Sequence, residues 1–149
     1  MIDVENLVIS TVSTALHSAF DEGFPGLVVY GEYVAAPTSF PCVCIVEDDN
    51  YRYTAADDEQ LAEHYANLVY TVNVYANDGY KKTTAREIAK AVDDCMANMK
   101  FTRTMQNQLP NIDRSIYRIT MRYTAVVGEP ITVSTEGNVT TTTYSVYRK

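Results

Sequence analysis

Residues 68–76 read Leu68-Val69-Tyr70-Thr71-Val72-Asn73-Val74-Tyr75-Ala76 and alternate with a period of two. Tyr70, Val72, Val74 and Ala76 share one face, and Thr71, Asn73 and Tyr75 the other, the pattern of a strand with one buried side. Asn77-Asp78-Gly79 ends that pattern. A second pattern begins at Thr84: Ile88, Ala91, Val92, Cys95, Met96 and Met99 recur at three- and four-residue steps, so residues 84–99 are predicted to form a helix with one apolar stripe. Thr84 with Glu87 three residues on has the spacing of a capping box. Period two returns over residues 116–127, with Tyr117, Ile119, Met121, Tyr123 and Ala125 on one face and Arg118, Thr120, Arg122 and Thr124 on the other. Strand, helix, strand is the core that the rest of the chain is expected to pack around.

Working towards the amino terminus, residues 42–47 (Cys42-Val43-Cys44-Ile45-Val46-Glu47) are β-branched and compact and read as a central strand, introduced by Phe40-Pro41. Residues 48–64 are acidic and read as a solvated loop or hairpin tip. Residues 27–30 read as a short strand. Residues 3–20 read as a helix: Val4, Val8, Val12, Leu16 and Phe20 lie on one stripe, Asp3 is placed to cap it and Gly23 to stop it. Towards the carboxyl terminus, residues 101–114 read as a polar connection. After Gly128-Glu129-Pro130, threonine-rich residues 131–134 and 139–147 flank Thr135-Glu136-Gly137-Asn138 and read as a β-hairpin. The expected fold class is α+β, a mainly antiparallel sheet with two principal helices packed on it and a C-terminal β-hairpin extension. Residues 1–149 are expected to be one domain, with a core over 1–128 and the hairpin over 129–149.

Composition narrows the function classes. A net charge of −7 argues against a protein built to bind nucleic acid through phosphate-neutralising patches. The three cysteines, Cys42, Cys44 and Cys95, are odd in number and lack the repeated CxxC spacing of a zinc site; they read as small buried hydrophobes in a reducing compartment. The opening residues lack the basic and apolar regions of a secretory signal, and no stretch has the length of a membrane span. Asn138-Val139-Thr140 matches a glycosylation sequon and is read as chance. No cofactor or metal is expected. Residues 48–63 do not follow the calcium-loop ladder of oxygen positions.

Charge is distributed unevenly along the chain: the first 80 residues carry −12 and the remaining 69 carry +5. Either both are solvated faces or they complement one another within the fold or between copies. On the acidic side the candidate contact residues are Asp57, Asp58 and Glu59. On the basic side they are Lys81, Lys82, Arg86 and Lys90, which crowd the start of the second helix, the wrong end for its dipole. These cations are expected to face solvent or an acidic surface on this or a neighbouring copy. Arg118 and Arg122 stand on one face of the last core strand, where cross-strand acids, Tyr75 or a partner are all open as their contacts. Tyr144 and Tyr147 on the hairpin complete the set.

The order helix, strand, Phe40-Pro41-introduced strand, alternating 70–76 strand closed by Asn77-Asp78, 85–99 helix, and the Asp113, Tyr117-Arg118, Met121-Arg122-Tyr123 run resembles the tail-terminator and tail-completion proteins of long-tailed bacteriophages. The resemblance covers nearly the whole chain and includes no catalytic signature. It implies a homo-oligomer, a hexameric ring at the head-proximal end of the tail, in the virion neck and assembled in the host cytoplasm. Its partners would be the tail-tube protein and a head-completion or stopper protein, with DNA passing through the lumen without specific binding. The hairpin would be a tube- or neighbour-contacting extension. Another neck ring or a tail-tube subunit is the nearer alternative, and a small enzyme using acidic-loop carboxylates the more distant one.

Overall fold

Eight elements follow one another: α1 (Glu5–Phe20), β1 (Val28–Tyr30), β2 (Cys42–Arg52), β3 (Tyr65–Ala76), α2 (Lys81–Asn98), β4 (Thr102–Leu109), β5 (Tyr117–Glu136) and β6 (Val139–Val146). The computed structural model describes residues 1–34, 37–52, 65–110, 113–136 and 139–146, with side chains as far as residue 128. The strands make one sheet in the order β1-β2-β3-β5-β4, and β6 pairs with β5. β1 runs parallel to β2, and every other pairing is antiparallel. This is the α+β architecture the periodicities require.

The alternation in β3 and β5 decides which face is dry. Val74 lies opposite Val43 and Ile119, Val72 opposite Ile45 and Met121, and Tyr70 opposite Tyr123, all buried on the same side. α1 covers that side with Val8, Val12 and Leu16, and α2 with Ala85, Ile88, Ala89, Val92 and Met96. The two helices also pack on each other. The second face of β3 is dry only at one end, where Tyr75 joins Cys42 and Cys44 in a smaller cluster under Phe40 and Val34. The turn before β1 is tied to the segment after it: Ser39 Oγ donates to the Gly26 carbonyl at 2.5 Å, and a Cβ on Gly26 would stand 2.7 Å from the Phe40 carbonyl oxygen, so only glycine fits.

Several boundaries differ from the sequence expectation. α1 starts at Glu5, not at residue 3, although Asp3 still serves it by accepting the Glu5 N–H at 3.2 Å. β2 runs on through Asp48 and Asp49 to Arg52, because backbone pairing with β3 holds these polar residues extended; a register shift between Glu47 and Asp49 absorbs the irregularity. Residues 102–109, expected to be part of a connection, form the edge strand β4. β5 runs unbroken through Gly128-Glu129-Pro130, where two separate strands were expected. Its pairing with β6 shifts register around Pro130, which has no N–H to give a ladder.

Helix α2 starts one turn earlier than expected, at Lys81, and no described side chain caps the N–H groups of its first turn; Asp78 ties the approach to the helix instead. Asp78 accepts the Tyr80 N–H at 3.0 Å through Oδ1 and the Thr84 hydroxyl at 2.8 Å through Oδ2, so Thr84 acts as a donor inside the helix rather than as its cap. At the other end Lys100 has φ 71°, its N–H donates to the Ala97 carbonyl at 2.9 Å, and Phe101 N–H donates to Met96 O at 3.0 Å. That is a Schellman closure with lysine in the left-handed position glycine prefers. It drops Phe101 edge-on against Tyr70, ring centres 5.5 Å apart, and sends the chain directly into β4.

Three substitutions test these ends in urea unfolding. Asp78→Ala is expected to lower stability by about 1 kcal/mol, while Glu87→Ala stays within about 0.5 kcal/mol; equal losses would restore the capping box. Lys100→Gly is expected to raise stability by about 1 kcal/mol, since it relieves the left-handed strain.

Candidate functional site

The charged residues singled out by the sequence are divided by the fold between two surfaces. On the open face of the sheet, β3 and β5 set Tyr75 opposite Arg118, Asn73 opposite Thr120 and Thr71 opposite Arg122. Asn73 is buried, and its Oδ1 accepts from the Thr120 hydroxyl at 2.6 Å and from Arg118 Nε at 3.0 Å. The Arg118 guanidinium carbon lies 5.7 Å from the centre of the Tyr75 ring, a cation–π contact. Burial pushes the Tyr75 phenol up to about 12, with Arg118 pulling the other way. Beside it, the Cys42 and Cys44 sulfurs are 3.9 Å apart, and their hydrogen bond, then burial, drives the Cys42 thiol far above its ordinary range. Further along, Arg122 Nε approaches Asp48 Oδ2 at 4.0 Å, and the same carboxylate accepts the Thr71 hydroxyl. Arg118 and Arg122 are thus engaged within their own chain, Arg118 firmly and Arg122 through a half-exposed pair that contributes little.

The second surface is made by α2 and β4 on the helical side. Lys82, Arg86 and Lys90 are spaced at four-residue steps and exposed, forming one basic stripe along α2. Lys81 is turned away from it, its Nζ donating to the Arg114 carbonyl at 3.2 Å. Between α2 and β4 lies a groove of about 420 Å³ lined by Arg86, Glu87, Lys90, Asp93, Arg103 and Gln106, with Thr83 at its edge. Asp93 is neutralised inside it: it accepts the hydroxyl of the buried Tyr123 at 2.9 Å and pairs with Arg103 at 3.1 Å. Glu87 is the one acidic group lining the groove that makes no hydrogen bond or ion pair with a described residue, against the two cations Arg86 and Lys90.

Asp57, Asp58, Glu59 and Tyr147 lie outside the described residues. Tyr144 lies on β6 opposite Pro130. Sequence reasoning missed Arg103 and Gln106 as groove residues because β4 carries no two-residue apolar period, with only Met105 and Leu109 along it even partly buried, and it missed Asp93 on α2 because nothing announced the strand that brings Arg103 to it. Among the described residues no group of three or more His, Cys, Asp or Glu is placed to hold a metal ion, and no helix is long and apolar enough to cross a membrane.

No protein-family model and no curated protein matches the chain. Among solved structures it is similar to the gp17 protein of bacteriophage SPP1, at 14% identity over 80% of this chain and 89% of that one, with a TM-score of 0.41. A likeness of that degree establishes neither family nor function.

Two groups make the electrostatics testable. Asn73→Ala leaves the Arg118 and Thr120 donors without their acceptor and is expected to cost about 1–3 kcal/mol in unfolding free energy. Glu47, which accepts the Tyr70 hydroxyl at 2.9 Å, has its carboxyl raised above the ordinary value of 4.5, chiefly by burial. The folded protein therefore keeps that proton to higher pH than the unfolded chain. Its stabilising contribution is complete below 4.5 and is lost as pH rises through the raised folded value. The stability of Glu47→Gln relative to wild type is expected to increase with pH across that window in urea titrations; a flat difference removes the assignment.

Proposed function

We propose that this chain is a structural virion protein of a long-tailed bacteriophage, which forms a ring of six copies at the head-proximal end of the tail. There it ends tail-tube polymerisation and joins the tail to a head-completion or stopper protein, with no catalytic role of its own. The reading begins from the sequence resemblance to tail-terminator proteins. The structural observation that carries it is the ribbon made by the end of β5 with β6.

β5 has β3 on one edge as far as Gly128; from Glu129 to Glu136 its only pairing among the described residues is with β6. Eight residues of β5 thus continue past the sheet as half of a two-stranded ribbon with both outer edges unpaired among the described residues. Two strands alone are marginally stable in water, and an open edge is a template for another chain. An arm of this kind supports an assembly subunit, for which the partner supplies the missing packing. The acidic balance of the chain suits a lumen that DNA must traverse without being held, since a basic lining would bind phosphate.

Electron microscopy of the purified protein, alone and with tail tubes, tests this. Closed rings that cap tubes are expected; extended tubes built from this chain alone would make it a tube subunit, and binding only to the head-side connector would make it a different neck ring. Removing residues 131–149 is expected to leave a cooperatively folded core that no longer docks on tubes. Global unfolding of that truncation would instead place the ribbon within the folding unit.

A further inference from the structure

We infer that the groove between α2 and β4 receives the acidic β2–β3 connection, residues 53–64, of a second copy of this chain. The inference rests on the proposed assembly and names the contact that would join its subunits.

The groove side of the contact has a charge excess that its own chain leaves unanswered. Lys82, Arg86 and Lys90 are neighbours on one helix face, and like charges four residues apart destabilise a helix. None of the three makes an ion pair with a described residue; of the two acids lining the groove, Asp93 is already held by Tyr123 and Arg103, and Glu87 can offset only one of Arg86 and Lys90. Lys82 also sits in the first turn, where the helix dipole disfavours a cation. An external acidic group relieves all of these at once.

The connection between Arg52 and Tyr65 has the matching chemistry. Residues 53–64 contain Asp57, Asp58, Glu59 and Glu63 and no lysine or arginine. Twelve residues anchored at both ends reach about 20 Å beyond their strands, enough to span a subunit boundary. The topology points the contact towards a neighbour. β3 occupies one edge of β5 up to Gly128, so β6, which pairs at Val127, lies on the β4 edge. The ends of this connection, Arg52 on β2 and Tyr65 on β3, thus lie across β5 from the β4 edge that flanks the groove of the same chain. In a head-to-tail ring each subunit offers its connection to one neighbour and its groove to the other.

Charge exchange tests the pairing, read as particle mass by light scattering against protein concentration. Arg86→Glu with Lys90→Glu reverses the groove, and Asp57→Lys, Asp58→Lys and Glu59→Lys together reverse the connection. Each variant alone is expected to need about tenfold more protein to assemble than wild type. An equal mixture is expected to assemble as wild type does, because every interface in an alternating ring is again complementary. Arg86→Gln with Lys90→Gln gives a milder weakening and keeps the test valid should a reversal misfold, as monitored by circular dichroism. If wild type assembles and either folded reversal assembles equally well, the contact is wrong and the ring stands. If the mixture fails while a chain carrying both reversals recovers, the connection folds onto its own chain and the second-copy occupant is wrong. A wild type that stays monomeric, alone and on tubes, overturns the ring and the contact together.

Discussion

The register between β3 and β5 is the constraint on which the rest of the structure depends. It sets Val72 against Met121 and Val74 against Ile119 on the helical side, and Asn73 against Thr120 and Tyr75 against Arg118 on the other. A slip of one residue would exchange the faces, taking Asn73 and Arg118 into the apolar core and turning Val72 and Met121 out. Apolar burial alone penalises that slip, and the Asn73 carbonyl adds specificity because it is buried and filled by two donors from β5. A buried amide is tolerable only where its partners arrive in one geometry. The small polar knot therefore fixes the same alignment that the large apolar face favours, and both helices are placed by it.

β5 is also the strand through which the separate parts communicate. It pairs with β3 on one edge, and with β4 and then β6 along the other. A ribbon that grows out of the central strand of a sheet, with no intervening loop, is anchored by the whole ladder behind it. Movement at Pro130 or beyond is opposed by pairs reaching back to Tyr117. This is a stiffer attachment than a hairpin joined to the core by a linker.

How much of this was legible in the sequence follows from what each element buries. β3, β5 and the body of α2 each have one dry face, and periodicity reports a dry face directly. β4 has almost none: Thr102, Arg103, Thr104, Gln106, Asn107 and Gln108 are exposed, and the strand exists because β5 offers it an edge. The end of β2 is similar, with Asp48 and Asp49 held extended by β3 rather than by their own preference. The start of α2 was misplaced for a different reason, since Asp78 braces Tyr80 and Thr84 from outside the window in which a Thr84–Glu87 box is sought. At the candidate site the residue types were readable but not their grouping. Arg118 and Arg122 share a sheet face with their own partners, whereas Lys82, Arg86 and Lys90 lie along α2 on the opposite side of the sheet, the last two lining a groove with residues of an edge strand that no pattern announced.

The sheet order gives the charge imbalance of the chain a spatial meaning. β1, β2 and β3 come from the first 80 residues, which carry −12, and β5, β4 and β6 come from the remaining 69, which carry +5. In the order β1-β2-β3-β5-β4 the acidic half of the sequence is one side of the sheet and the basic half is the other. A rotational repeat brings the acidic side of one copy to the basic side of the next and repeats the same favourable contact until it closes. Because β6 occupies the β4 edge of β5 beyond Val127, the basic side is also where the ribbon leaves the sheet. In the proposed ring, electrostatic steering of a neighbour and the ribbon edges left unpaired among the described residues would act on the same flank.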